Sequence, residues 1–210
     1  MAIVASSAIT PLPQCSENVF TPGFGRTVFR RAIASYSSRT MRRGVLLLTG
    51  VPGVGKTTII RKVAERLHHR RRGGFYTEEI RVRGERRGFR AVTFDGEARD
   101  MARIDFRGTR RVGKYGVDVS AVDAVAASAL TPGADLYLVD EIGKMECLSV
   151  TFVAAMRALL ESGAPVVATV ARRGTGFIAE TKRRRDVELW DVTRGNRDAL
   201  PARVLEWLDA

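Results

Sequence analysis

Val45-Leu46-Leu47-Leu48 and, beginning two residues on, Gly50-Val51-Pro52-Gly53-Val54-Gly55-Lys56-Thr57 make up the stretch whose reading decides the fold. Four apolar residues in unbroken succession fit a strand buried on both faces of a parallel sheet. Behind the glycine-rich loop, Ile59, Ile60, Val63, Ala64 and Leu67 recur at helical spacing, while Arg61, Lys62, Glu65, Arg66 and Arg70 fall on the opposite face. This pattern predicts an amphipathic helix from Thr57 to about His69, with Gly73-Gly74 as its stop.

The loop satisfies G-x-x-x-x-G-K-[ST] at every fixed position, in the strand–loop–helix context that gives the motif its meaning. Glycines at 50, 53 and 55 let the backbone wrap phosphate oxygens where side chains would clash. The free N–H groups opening the helix add partial positive charge. Gly50, Val51, Pro52, Gly53, Val54, Gly55, Lys56, Thr57 and Thr58 are therefore the expected nucleotide-binding set. Lys56 reaches the β- and γ-phosphates, and the Thr57 hydroxyl is a ligand for Mg²⁺.

A second apolar run, Leu136-Tyr137-Leu138-Val139, ends in Asp140-Glu141. A strand of this kind can lie beside the loop-bearing strand and carry both acids to the same sheet edge. Asp140 is then the metal-site carboxylate, and Glu141 the group that orients or deprotonates an attacking water. Lys144 and the arginines at 172, 173 and 183–185 are weaker candidates, for the γ-phosphate or for transition-state charge. Glu78 and Glu79 read as a pocket feature or as an edge-strand charge pair. His68 and His69 read as solvent-exposed, and Cys147 has no histidine nearby in sequence to activate it.

Elsewhere, residues 74–82 and 88–94 are strand-like and joined by the polar segment 83–87, which predicts an antiparallel hairpin. Further strands are expected over 101–104, 115–119, 166–170 and 187–192. Helices are expected from an N-cap at Ser120 to Leu130, and over 149–160, 177–182 and 196–208. Strands and helices in alternation predict a three-layer α/β domain over 42–210, with a mostly parallel sheet, helices on both faces and the added hairpin.

Residues 1–41 differ in kind, with six Ser, four Arg and Glu17 alone as an acid. Ser-rich, Arg-bearing and acid-poor, they fit a plastid or mitochondrial transit peptide as well as a disordered extension; without that address an intracellular, cytoplasmic location is expected. No apolar run approaches the ~18–20 residues that cross a bilayer. Cys15 and Cys147 are too few for a disulfide framework or a cysteine zinc site. The net charge of +12, carried by 30 Arg and 5 Lys, favours polyanionic partners. No nucleic-acid module is recognisable and the aromatics are not interleaved with arginine along the chain, so a nucleotide is the expected anion ahead of nucleic acid. No exposed apolar stripe stands out, and a monomer is expected.

The segments Gly50 to Thr58, Gly74-Phe75-Tyr76-Thr77-Glu78-Glu79-Ile80-Arg81, Val112-Gly113-Lys114-Tyr115 and Asp140-Glu141-Ile142-Gly143-Lys144-Met145-Glu146, in that order, resemble the cancer-related nucleoside-triphosphatase family of small P-loop proteins. The likeness runs from about residue 43 to the C-terminus. It implies a RecA-like sheet and a slow, Mg²⁺-dependent hydrolase of nucleoside triphosphates (ATP, GTP, CTP, UTP) tolerant of the base. It also implies Asp140 at the metal, Glu141 as catalytic carboxylate, and Asn196 and Arg197 near the base. Gly195 departs from the family's usual acidic residue, and the segment between Arg103 and Val112 is shorter than in animal relatives. Two other functions share the loop: a nucleoside or nucleotide kinase, and a nucleotide-switched RNA-binding protein.

Overall fold

The computed structural model describes residues 44–108 and 110–210, and the expectations for residues 1–41 lie outside them. Strand β1 (Val45–Gly50) is buried at every position, as its unbroken apolar run requires. Each fully buried Leu among 46–48 contributes about 1.5–3 kcal/mol relative to an exposed one. Helix α1 (Lys56–Arg66) follows the loop and turns Ile59, Ile60, Val63 and Ala64 inward.

The described residues form one nine-stranded open sheet with helices on both faces. Its strands are β1, β2 (Arg72–Val82), β3 (Glu85–Thr93), β4 (Ala98–Arg103), β5 (Arg111–Val112), β6 (Tyr115–Val117), β7 (Leu136–Ile142), β8 (Val166–Ala171) and β9 (Val187–Asp191), in the order β5-β6-β4-β3-β2-β7-β8-β1-β9. From β2 to β9 all pairings are parallel, and from β2 to β5 all are antiparallel. The three-layer P-loop architecture is thus as expected, but the hairpin grows into a five-stranded antiparallel arm continuous with the parallel half.

Helices α2 (Val119–Ala129), α3 (Val150–Glu161) and α4 (Phe177–Arg183) cover one face, and α1 with α5 (Leu200–Asp209) covers the other. One core gathers Phe75, Tyr137, Phe152 and Met156; the second gathers Leu46, Leu48, Ile60, Val204 and Trp207.

Several boundaries differ from expectation for local reasons. Gly73-Gly74 does not stop α1, which ends at Arg66; both glycines lie inside β2, where Gly74 pairs with Leu138. A Cβ at Gly74 would come 1.9 Å from the Leu138 carbonyl oxygen, so the glycine pair marks a close approach of two strands rather than a helix end. Helix α2 is capped by Asp118, which accepts from the Ala121 amide, while Ser120 donates its hydroxyl to Asp118. Residues 196–199 form turns, and α5 begins only at Leu200 with Pro201 in its first turn. The hairpin turn is Arg83-Gly84 alone, and residues 85–87 already belong to β3.

Candidate active site

The start of α1 is built to face an anion. Gly55, at φ 113°, holds a left-handed conformation that side chains rarely adopt, and no side chain caps the helix. By contrast, α2 and α3 start on the side chains of Asp118 and Ser149. The first amides of α1 are thus available to phosphate oxygens.

Lys56, only 8% exposed, donates its Nζ to the Gly50 carbonyl at 3.4 Å and lies 3.9 Å from Glu141 Oε2. Thr57 donates its Oγ1 to Asp140 Oδ2 at 2.6 Å, across 83 residues of sequence. The apolar strand ending in Asp140 is not the neighbour of β1, however. β8 lies between β1 and β7, and it supplies a link that the sequence did not single out: Thr169, fully buried, donates to Asp140 Oδ1 at 2.7 Å. Thr77, on β2 just beyond its last pairing with β7, donates both its hydroxyl (2.8 Å) and its amide (3.3 Å) to Oδ2. Asp140, 1% exposed, is therefore a carboxylate with both oxygens engaged by three threonine hydroxyls, one each from α1, β2 and β8.

Consecutive residues in a regular strand point to opposite faces. Here the β7–β8 register is interrupted between Val139 and Ile142. Asp140 reaches Thr57 while Glu141 reaches Lys56, so both carboxylates serve one site. Burial pushes the Glu141 carboxyl above the usual range; Lys56 pulls it back, and the Asp140 charge adds to the rise.

Gly50, Val51, Pro52 and Lys56 line a chamber of about 470 Å³, closed on the far side by Glu141 and by Ala171 to Arg173. A larger groove, of about 730 Å³, lies between the C-terminal ends of α2 and α3 and includes none of these residues. Arg197 lies over the loop, its Nη1 3.4 Å from the Val54 carbonyl. Both ends of the Asn196 amide are committed to its own turn, accepting from the Thr193 amide and donating to the Asp191 carbonyl. Lys144 is exposed and outside the chamber lining, as are Arg183 and Arg185. Glu78 pairs with Arg61, and Glu79 is bridged by Arg81 and Arg86, so both serve the arm as surface ion pairs. His68 and His69 are exposed.

Thr57 and Asp140 together offer hard oxygen donors, and no cluster of three or more His, Cys, Asp or Glu occurs among the described residues. This fits Mg²⁺, which takes one or two protein oxygens and completes its shell with phosphate and water. It fits a soft metal poorly.

Glu146, in a short 3-10 turn over Glu146–Leu148, carries no local mark of a site residue, yet it is buried. Burial pushes its carboxyl up to about 8; the Glu141 and Asp140 charges add to this, and its own amide and that of Gly143 oppose it. The folded state therefore holds a proton that the unfolded chain releases near 4.5, and stability falls as pH rises from about 4.5 to 8. Glu146→Gln removes that proton. In urea titrations of the nucleotide-free protein, its stability relative to the parent is expected to grow by about 1.4 kcal/mol per pH unit inside the window. Parallel profiles would contradict the buried, protonated carboxyl.

A phosphate-gripping loop, a two-carboxylate strand end and a sheet with one strand inserted between them define a P-loop nucleotide-binding protein. A family profile described as NTPase matches residues 45–205. The chain belongs to this nucleoside-triphosphatase family. It is 40% identical over 166 residues to the nucleoside-triphosphatase THEP1 of Thermotoga sp. (strain RQ2), covering 78% of this chain and 94% of the relative. It is 37% identical over 175 residues to the human cancer-related nucleoside-triphosphatase, covering 74% and 91%. The crystal structure of THEP1 from the hyperthermophile Aquifex aeolicus superposes with a TM-score of 0.72 at 33% identity, covering 79% of this chain and 99% of that one. No helix of the described residues is long and apolar enough to cross a membrane.

Proposed function

We propose that the chain hydrolyses nucleoside 5′-triphosphates to the diphosphate and phosphate with Mg²⁺ as cofactor, accepting adenine, guanine, cytosine and uracil bases. The observation that carries this reading is the 2.6 Å contact between Thr57 and Asp140, with Glu141 beside Lys56. It unites the loop, the metal-site acid and a second carboxylate that has no other partner in the chamber. Lys56 and the α1 amides hold the phosphates, Thr57 and Asp140 would hold Mg²⁺, and Glu141 takes the proton of the attacking water. Mg²⁺, when bound, neutralises charge on the phosphate oxygens.

Base tolerance follows from what surrounds the loop. The Asn196 amide, accepting from the Thr193 amide and donating to the Asp191 carbonyl, is spent on its own turn, and Arg197 turns its Nη1 toward the Val54 carbonyl of the loop. A kinase would need an arginine-bearing lid over the site, but of Arg183 to Arg185, Arg184 is tied to Asp186 and the Leu160 carbonyl and the other two lie outside the chamber. Phosphate release measured with ATP, GTP, CTP and UTP is expected to proceed with all four at rates within about tenfold, and to stop with excess EDTA. No release, or release from a single base, would overturn this reading.

A further inference from the structure

Several arginines of this molecule pair with a carboxylate. Arg81 and Arg86 share Glu79, Arg90 and Arg103 share Asp100, Arg157 has Glu180 and Arg184 has Asp186. Arg172 and Arg173 do not: both are exposed, and neither side chain has a hydrogen-bond or ion-pair partner among the described residues. They stand at the end of β8 on the rim of the chamber that holds Lys56 and Glu141. Lys56, Arg172 and Arg173 against Glu141 leave the chamber with a formal excess of two positive charges.

Nor is the loop beneath them free to carry them elsewhere. Lys182 of α4 donates its Nζ to the carbonyls of both Ala171 (3.1 Å) and Arg172 (2.9 Å), which clamps the strand end to the helix. Neighbouring cations that lack a carboxylate and sit on a tethered backbone present a local positive field, screened by water and salt, to which an anion in the chamber is drawn.

We infer that Arg172 and Arg173 are catalytic residues that take up the charge of the γ-phosphoryl group as it is transferred to water. This rests on the hydrolase reading above. In the step, a bond forms between the water oxygen and the γ-phosphorus, and the bond from the γ-phosphorus to the β,γ-bridging oxygen breaks. The electron pair of that bond leaves on the nucleoside diphosphate, and the water proton passes to Glu141. Charge spread over the equatorial oxygens is met by the guanidinium groups, which are planar, always charged and able to donate two parallel hydrogen bonds. Arg183 and Arg185, the other free arginines raised by the sequence, lie at and just beyond the C-terminal end of α4, outside the chamber lining, and are excluded from this role by position.

The test is the double variant Arg172→Ala/Arg173→Ala, with each single variant to divide the effect. Turnover of ATP is expected to fall about 10²-fold or more in the double variant, while KM and ADP affinity stay within about threefold. Affinity for ADP with aluminium fluoride, which mimics the transferring group, is expected to fall with turnover, and added guanidinium ion to restore part of the rate. Glu141→Gln, measured alongside, should show no guanidinium rescue. Turnover within threefold of the parent in the double variant would overturn the inference, as would equal losses of ADP and ADP–aluminium fluoride affinity. Those results leave the hydrolase reading standing; an inactive parent protein would remove both.

Discussion

Glu141→Gln is expected to lower steady-state and single-turnover phosphate release by about 10³-fold, with nucleotide affinity held within a few fold. Gln keeps the size and shape of the side chain but cannot accept a proton from water. The residue is partly exposed, and its ionic contact is the 3.9 Å approach to the buried Lys56, which loses that charge partner in the variant. Lys56 keeps its bond to the Gly50 carbonyl, and the phosphate-binding amides of α1 are untouched. The loss should therefore fall on the chemical step. A decrease smaller than tenfold would remove Glu141 as the base and leave the neighbouring Asp140, which lies outside the chamber lining and is already committed to three hydroxyls.

Gly74→Ala is the substitution expected to damage stability most. The added Cβ would stand 1.9 Å from the Leu138 carbonyl oxygen and 2.7 Å from its carbon, and Gly74 itself is at φ 101°. Neither atom can move aside, because β2 and β7 are joined there by the parallel ladder. Relief requires parting the arm from the parallel half of the sheet. The expected cost exceeds about 4 kcal/mol, a fall in Tm of roughly 10 °C or more for a domain of this size. Gly108→Ala, where an added Cβ meets nothing within 4 Å, is the control and should change Tm little. A loss under 1 kcal/mol at Gly74 would contradict the seating of β2 on β7.

The parts of the molecule written in local chemistry were readable from the sequence. β1, the phosphate loop and α1 announce themselves because burial on two faces, glycine backbone freedom and helical spacing each leave a distinct residue pattern. The same holds for Asp140 and Glu141, whose apolar strand ends in two acids. What was not readable depends on pairing between distant segments. Nothing in Leu136 to Glu141 says that β8 will come between it and β1, and so nothing marks Thr169 as a partner of Asp140. Thr77 looks like any strand threonine until β2 outruns its pairing with β7. Gly73-Gly74 carries the composition of a helix stop, and only the approach of Leu138 shows why glycine is needed there. Nothing local to Glu146 marks it for burial, yet the fold encloses it.

Helix α1 differs from α2 and α3 in starting without a side-chain cap. A cap of that kind is worth about 1 kcal/mol, so α1 has given up local stability where it meets its ligand. A phosphate bound there acts as the missing cap. The amides of Lys56, Thr57 and Thr58 then exchange with solvent at rates set by nucleotide occupancy, and the thermal stability of the whole second core, which α1 anchors through Ile59, Ile60 and Val63, rises and falls with the cellular triphosphate supply.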